Sequence, residues 1–272
     1  MDRVPRRRIV LAHGFTQNGR CWGRFGELLA LRHELVTPDA PGHGACDPAH
    51  DTADLDAAGR LLARAGGPAV YVGYSMGGRV ALHTALDPET APLVEALVLI
   101  GATPGLEDEA ERAARRAADE ALADTLQADT LQADTLLADP LLAGGPDPLE
   151  GNVLEAFLRR WLALPLFAGL PPEDAMLPER LTNRPEGLAA SLRHCGTGTQ
   201  RPRWSELGRI TCPVLVLAGE RDEKFSAIGR RMATAIGSSA RFEQVPGAGH
   251  AAHAERPEIV SALIEAFVGT RP

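Results

Sequence analysis

Two kinds of pattern alternate along the chain. Six short apolar runs stand apart from one another: RIVLA (8–12), ELVTP (34–38), AVYVGY (69–74), ALVLIGA (96–102), PVLVLAGE (213–220) and ARFEQVP (240–246). Most are continuously apolar instead of alternating, which is the pattern of strands covered on both faces by helices. Between them the apolar spacing turns helical, as in DLDAAGRLLARAG (54–66) and GGRVALHTAL (77–86). The last such stretch, RPEIVSALIEAFVG (256–269), has a proline in its first turn, where the missing N–H sacrifices no helical hydrogen bond. This alternation predicts a parallel sheet with right-handed crossovers. Seven residues precede the first run, which leaves no room for an N-terminal hairpin, so a six-stranded, all-parallel core is expected.

The alternation breaks once, between the fourth and fifth runs. Residues 103–211 have helical character and no convincing strand. A connection of that length is too large for a loop and reads as an inserted helical lid. The core would then comprise 1–102 and 212–272, with the lid over the carboxyl ends of the strands, where open α/β sheets bind ligands. Inside the insert, at about 122–140, ADTLQADTLQADTLLADP repeats every five residues. Each leucine advances roughly 140° around a helix, so the period builds neither a helix stripe nor a heptad seam. It reads as a tandem expansion of a surface helix or loop.

Composition narrows the function. At 272 residues the chain suits one large α/β domain or two small ones, and its net charge of −8 argues against a general nucleic-acid binder. No apolar run approaches the roughly 20 residues needed to span a bilayer. The basic N-terminus, MDRVPRRRIVLAHGF, runs straight into a glycine motif and reads as a first strand, not a signal peptide. Cys21, Cys46, Cys195 and Cys212 form no CxxC pair, which fits a reduced, cytoplasmic protein. His250 and His253 in GHAAH have no third ligand suggested nearby, so no metal is expected, and no cofactor. Monomer and small homo-oligomer are both compatible with the sequence.

The chemistry concentrates at GYSMGGR (73–79). G-x-S-x-G after a strand and opening a helix is the nucleophile elbow, a turn tight enough to push Ser75 out of the fold. A serine hydroxyl is a poor nucleophile or base alone and needs a histidine and an acid in the order Ser…Asp…His. His250 follows the last strand on a glycine-rich loop. The run ending LIGATP offers no acid, whereas LAGERDEKF offers Glu220, Asp222 and Glu223. Asp222, at the loop tip, is the expected acid, and His253 is read as a surface or supporting residue. The backbone amides of Met76, after the nucleophile, and Phe15, after the first strand, are expected to form the oxyanion hole. These features predict an α/β-hydrolase fold. They suit a hydrolase of an ester, a lactone or a carbon–carbon bond beside a ketone as well as a lyase. A non-catalytic ligand-binding protein is the third reading, and an aspartate-nucleophile dehalogenase or epoxide hydrolase is excluded by the serine.

Further stretches, HGFTQNGRCW, DAPGHG, WLALPLFAGL, PEGLAASLRHCGTGTQ, GERDEKF and PGAGHAAHAERP, together with the elbow, span nearly the whole chain. In them the sequence resembles the 2-succinyl-6-hydroxy-2,4-cyclohexadiene-1-carboxylate synthase family of menaquinone biosynthesis; the repeat departs from that pattern. The resemblance implies a lyase that removes a ring proton and expels pyruvate, with Ser75 as base and no acyl-enzyme. Its substrate would be a small polycarboxylate, calling for cations near the elbow. Arg79 lies one helical turn beyond Ser75, and Tyr74 can donate a hydrogen bond. The resemblance adds Arg115, Trp161 and Arg180 from the insert to the substrate site. Lys224, the single lysine of the chain, could attract the anion or pair with a neighbouring acid.

The repeat supports one prediction. Deleting two five-residue units between Thr125 and Thr135 should leave folding and the chemical step nearly intact, because surface segments tolerate length changes at small entropic cost. Circular dichroism and turnover of the shortened protein test this; lost turnover with the fold retained would place the repeat in the site.

Overall fold

The computed structural model describes residues 6–127 and 153–269. All six expected strands form: β1 (Arg8–Ala12), β2 (Glu34–Val36), β3 (Ala69–Tyr74), β4 (Val94–Ile100), β5 (Val214–Gly219) and β6 (Ala240–Val245). They make one parallel sheet in the order β2-β1-β3-β4-β5-β6. β3 and β5 are buried at every residue, which is why their sequences show no polar alternation.

Helices cover both faces. On one side α2 (Leu55–Gly66) and α3 (Met76–Leu86) pack on the sheet, with Leu62, Val80 and Leu82 meeting Val10, Tyr71, Leu97 and Leu99. Helix α8 (Glu223–Ile236) adds Met232 and Ile236 to this layer. On the other side α1 (Gly23–Ala30) and the last helix, α10 (Pro257–Gly269), bring Phe25, Leu29, Ile264 and Phe267 against Ile9, Val72, Val98 and Leu215. Local signals start the helices where the sequence indicates: the Asp54 carboxylate accepts the Ala57 amide at 2.8 Å to cap α2.

Sheet order positions the site. The chain leaves β1 toward one edge and leaves β3 toward the other, so β1 and β3 flank the point where the winding reverses. Loops leaving two such strands diverge and open a crevice at their carboxyl ends. Ala12 pairs in register with Gly73, so Phe15 and Ser75 emerge side by side at that crevice.

Between β4 and β5 the described residues form helices and no strand: α4 (Glu109–Gln127), α5 (Val153–Leu162), α6 (Leu177–Arg180) and α7 (Pro185–Cys195). These have a small core of their own, in which Leu126, Leu154, Phe157, Leu158, Leu188 and Leu192 pack together and against Phe15 of the β1 loop. The first repeat unit, 123–127, is the end of α4 and not the expected surface segment, since Ala123, Thr125 and Leu126 are buried and Asp124 and Thr125 line the large cavity described below; the remainder of the repeat lies outside the described residues.

His253 is not a surface residue. It lies in the short helix α9 (Ala252–Glu255) at 1% exposure, with its ring 4.3 Å from that of Tyr74 and neither nitrogen partnered among the described residues. Burial pushes its pKa down to about 3, and does the same to His43 in the PGHG loop. The unfolded chain therefore takes up protons near pH 6.5 that the native state refuses until about pH 3. Stability should be complete above about pH 6.5 and fall as the pH drops, by about 1.4 kcal/mol per unit for each histidine. Denaturant titrations between pH 7 and 4 should show this slope, and His253→Phe should remove its share of it, about 1.4 kcal/mol per unit, leaving that of His43; an unchanged slope would mean that His253 is protonated in the native protein.

Candidate active site

Ser75 occupies the turn between β3 and α3 with φ 50° and ψ −109°, a conformation that L-residues rarely adopt. Its neighbours make this possible. A Cβ on Gly73 would lie 2.5 Å from the Gly78 Cα, and one on Gly77 would overlap the Ala12 carbonyl. The elbow glycines are needed for close backbone approach. The Ser75 amide donates to the Ile100 carbonyl at 2.9 Å, fastening the elbow to the end of β4.

Three sequence-predicted side chains meet here. The Ser75 Oγ lies 3.1 Å from His250 Nε2, and His250 Nδ1 lies 2.7 Å from Asp222 Oδ2. The consistent proton arrangement has Nδ1–H donating to the carboxylate and Nε2 accepting from the hydroxyl. The other Asp222 oxygen accepts the Phe225 amide at 3.2 Å and caps α8, so the acid is held by the helix it starts. The Phe225 and Tyr74 rings lie 4.6 and 5.5 Å from the imidazole ring. Glu220, the alternative acid, accepts the Gly247 amide instead. The amides of Phe15 and Met76 meet no acceptor among the described residues, as expected for Met76 at the first position of a helix.

Ser75 and His250 open into a cavity of about 750 Å³ whose wall includes Phe15, Met76, Arg79, Arg115, Trp161, Lys224 and Phe225. Arg79 is buried at 7% exposure; its Nη1 donates to the Cys195 carbonyl at 2.6 Å, and it has no carboxylate partner among the described residues. Burial lowers its pKa to about 10. Lys224 also lines the cavity without an ion pair among the described residues. Arg115 pairs with Asp119 through Nε at 2.8 Å. The Trp161 indole packs 5.1 Å from the Phe15 ring, and its buried Nε1 has no partner among the described residues.

Two expectations need correction. Tyr74 does not line this cavity: its ring is turned inward between His250 and His253, at 3% exposure, and burial raises its phenol pKa. β-Strand alternation explains this, since a residue adjoining the elbow serine faces the core layer. Arg180 does not line it either. At 2% exposure, it donates through Nε to the Ala175 carbonyl at 2.6 Å and through Nη1 to the Thr16 hydroxyl. Arg180 thus ties the insert to the loop after β1, with Asn183 adding a 2.8 Å bond to the Thr16 carbonyl. Asp119 was missed by sequence reading. It lines the cavity at 1% exposure with Oδ2 unpartnered among the described residues, and its spacing of four from Arg115 was the available signal.

Replacing Ser75, His250 or Asp222 by alanine should each lower kcat by on the order of 10³-fold or more, and the triple variant should lose no more than the worst single one, because the three act as a unit. Near-native kcat in Asp222→Ala would remove the carboxylate from that role.

Comparison with known proteins agrees with this architecture. The alpha/beta hydrolase family model matches residues 9–263. The chain is 31% identical to the 2-succinyl-6-hydroxy-2,4-cyclohexadiene-1-carboxylate synthase of Citrobacter koseri, over 92% of this chain and 88% of the relative. It is 34% identical to a Bacillus subtilis (strain 168) protein that carries the same name provisionally, over 96% and 89% of the two chains. Among solved structures, MenH from S. aureus superposes with a TM-score of 0.81 at 30% identity, over 98% of this chain and 94% of that one. A thermophilic esterase from Thermogutta terrifontis, at 22% identity and a TM-score of 0.71, shares the fold. The chain thus belongs to the alpha/beta hydrolase family and, within it, to the 2-succinyl-6-hydroxy-2,4-cyclohexadiene-1-carboxylate synthases.

Proposed function

We propose that this chain eliminates pyruvate from 2-succinyl-5-enolpyruvyl-6-hydroxy-3-cyclohexene-1-carboxylate, with Ser75 Oγ as the base. One observation carries the reading beyond family membership. Arg79 is a buried guanidinium with no carboxylate partner among the described residues, on the wall of the cavity that holds Ser75. A buried cation with no paired carboxylate is costly in the free protein, even where a nearby acid, here Asp119, offsets part of that cost. A carboxylate brought in by the substrate offsets that cost, and this substrate carries three. Lys224 supplies further positive charge on the same wall, and Arg115 is there paired with Asp119. Three acids share the lining: Asp119 pairs with Arg115 through one oxygen, Asp124 pairs with Arg193, and Glu111 stands on the same wall.

The names of substrate and product define the electron flow. The substrate has one ring double bond, at carbon 3, and the product is a 2,4-diene. Ser75, its proton taken by His250, removes the proton from carbon 2, which is acidified by the adjoining succinyl ketone. The oxyanion amides of Phe15 and Met76 hold the developing enolate oxygen. Return of the electrons forms the 2,3 double bond, shifts the ring double bond to 4,5 and breaks the carbon 5–oxygen bond. Enolpyruvate departs with that electron pair, takes the proton from His250 and tautomerises to pyruvate. Asp222 stabilises the imidazolium between the two transfers. No acyl-enzyme forms, because the serine takes a proton and attacks no carbonyl.

The substrate is a dissolved anion, and no helix among the described residues is long and apolar enough to cross a membrane. We place the enzyme in the cytoplasm.

Pyruvate release from this intermediate by the purified protein tests the reaction. Arg79→Ala should lower kcat/KM by roughly 10–150-fold, the loss of one charge-assisted contact worth about 1.5–3 kcal/mol. Arg79→Lys should recover only part, since an ammonium cannot match the planar fork. Hydrolysis of a small neutral ester, where measurable, should barely change. An Arg79→Ala enzyme with native kcat/KM for the anion, or ester turnover without pyruvate release, would favour a serine hydrolase.

A further inference from the structure

The imidazole of His250 is carried by PGAGHAAH (246–253), a loop of small residues with little side-chain bulk to fix it. Its two flanking amides converge on one buried carboxylate. Glu255, whose side chain is 0% exposed, accepts the Gly249 amide at 2.7 Å through Oε2 and the Ala251 amide at 3.2 Å through Oε1. Oε2 also accepts from Arg221 Nη2 at 3.0 Å. Arg221 immediately precedes Asp222, and its own amide donates to the Ala248 carbonyl at 2.8 Å. One carboxylate therefore joins the loop bearing the histidine to the loop bearing the acid. A third segment closes over the pair: at Gly169, within LPLFAGL of the insert, a Cβ would lie 2.6 Å from Arg221 Nη2 and 3.0 Å from Glu255 Cδ. The insert rests on this ion pair at a position that has no space for a side chain.

We propose that Glu255 is a positioning residue for the triad: it holds the two amides flanking His250 and, through Arg221, sets the histidine loop against the loop of Asp222. The role extends the proposed proton transfer, because the His250–Asp222 and His250–Ser75 distances of 2.7 and 3.1 Å require both loops in fixed relation. Without the carboxylate, both amides lose their acceptor in a buried site. The loop must then move to satisfy them, and it carries the imidazole along. Arg79 and Arg115 stand on other segments, so their contacts to substrate have no direct dependence on Glu255.

The test uses two readouts on the whole protein: steady-state pyruvate release and the rate at which a fluorophosphonate labels Ser75. Labelling reports the activation of the serine whatever the natural substrate is. Glu255→Ala should lower kcat by about 100-fold, the scale of a misplacement of about 1 Å, with KM changed less than threefold. Glu255→Gln keeps one carbonyl oxygen for one amide and should lose roughly 10-fold. Arg221→Ala cuts the tie to the Asp222 loop but leaves both amide bonds in place, so its loss should be smaller than that of Glu255→Ala, roughly 3–10-fold. Labelling should slow in the same order and by similar factors. Should Glu255→Ala not fold, the Gln variant carries the test. A folded Glu255→Gln enzyme that labels at the native rate, or one in which KM rises while kcat holds, overturns the positioning role. Slowed labelling in a protein whose wild type releases no pyruvate would uphold it and overturn the lyase reading instead.

Discussion

Backbone contact at the elbow is the constraint on which the site depends. Gly73 and Gly77 bring the start of α3 against the ends of β1 and β3, so close that a Cβ on either would collide with backbone. That approach holds Ser75 at a positive φ and leaves the Met76 amide at the open end of a helix. Because β1 and β3 lie side by side at the winding reversal, it also sets the Phe15 loop next to the same point. The position of Ser75, the amides of Phe15 and Met76 and the cavity floor thus follow from one packing requirement and one strand order. The conformational cost of the strained serine is offset by the surrounding sheet, which is buried throughout β3 and β5.

A scaffold of this kind does not choose its reaction. The esterase that shares the fold shows how widely the architecture is used. The wall opposite the serine discriminates, and here the insert builds much of it. Helices α4, α5 and α7 contribute Arg115, Trp161 and Ser191 to the cavity, while α3 contributes Arg79 from the core. Arg79 is anchored by the Cys195 carbonyl at the end of α7, so core and insert share this cation. Apolar walls around a guanidinium strengthen its attraction for an anion by lowering the local dielectric. The same burial makes the empty site costly, which is an economical way to favour a charged substrate over a neutral one.

Polar ties fix the insert to the catalytic loops at several points. Arg180 and Asn183 bind Thr16, beside Phe15. Gly169 lies against the Glu255–Arg221 pair, beneath which the histidine and acid loops meet. Displacement of the insert would therefore be felt by the oxyanion loop and the triad loops together. This makes the insert part of the catalytic geometry as well as a cover for it.

Much of this was legible in the chain because the relevant signals are local. Apolar runs of five to eight residues marked all six strands, and GYSMGGR in its strand-to-helix context marked the elbow. The positions of Asp222 and His250 after the last two strands followed from the order that such a sheet imposes. Arg79 was legible as well, since helical spacing alone puts it one turn from the serine. What sequence could not decide was where long side chains end. Tyr74 and Arg180 were read as substrate contacts, yet one is turned into the core by strand alternation and the other spends its donors on Thr16 and Ala175. His253 was read as a surface or supporting residue and is buried, and Glu255, buried beside it, carried no signal in the sequence. Chain order and short-range spacing determine backbone path, and with it every residue whose role depends on backbone position. Burial, ion pairing and the aim of a flexible side chain depend on partners tens to hundreds of residues away, and only the assembled tertiary structure brings those partners together.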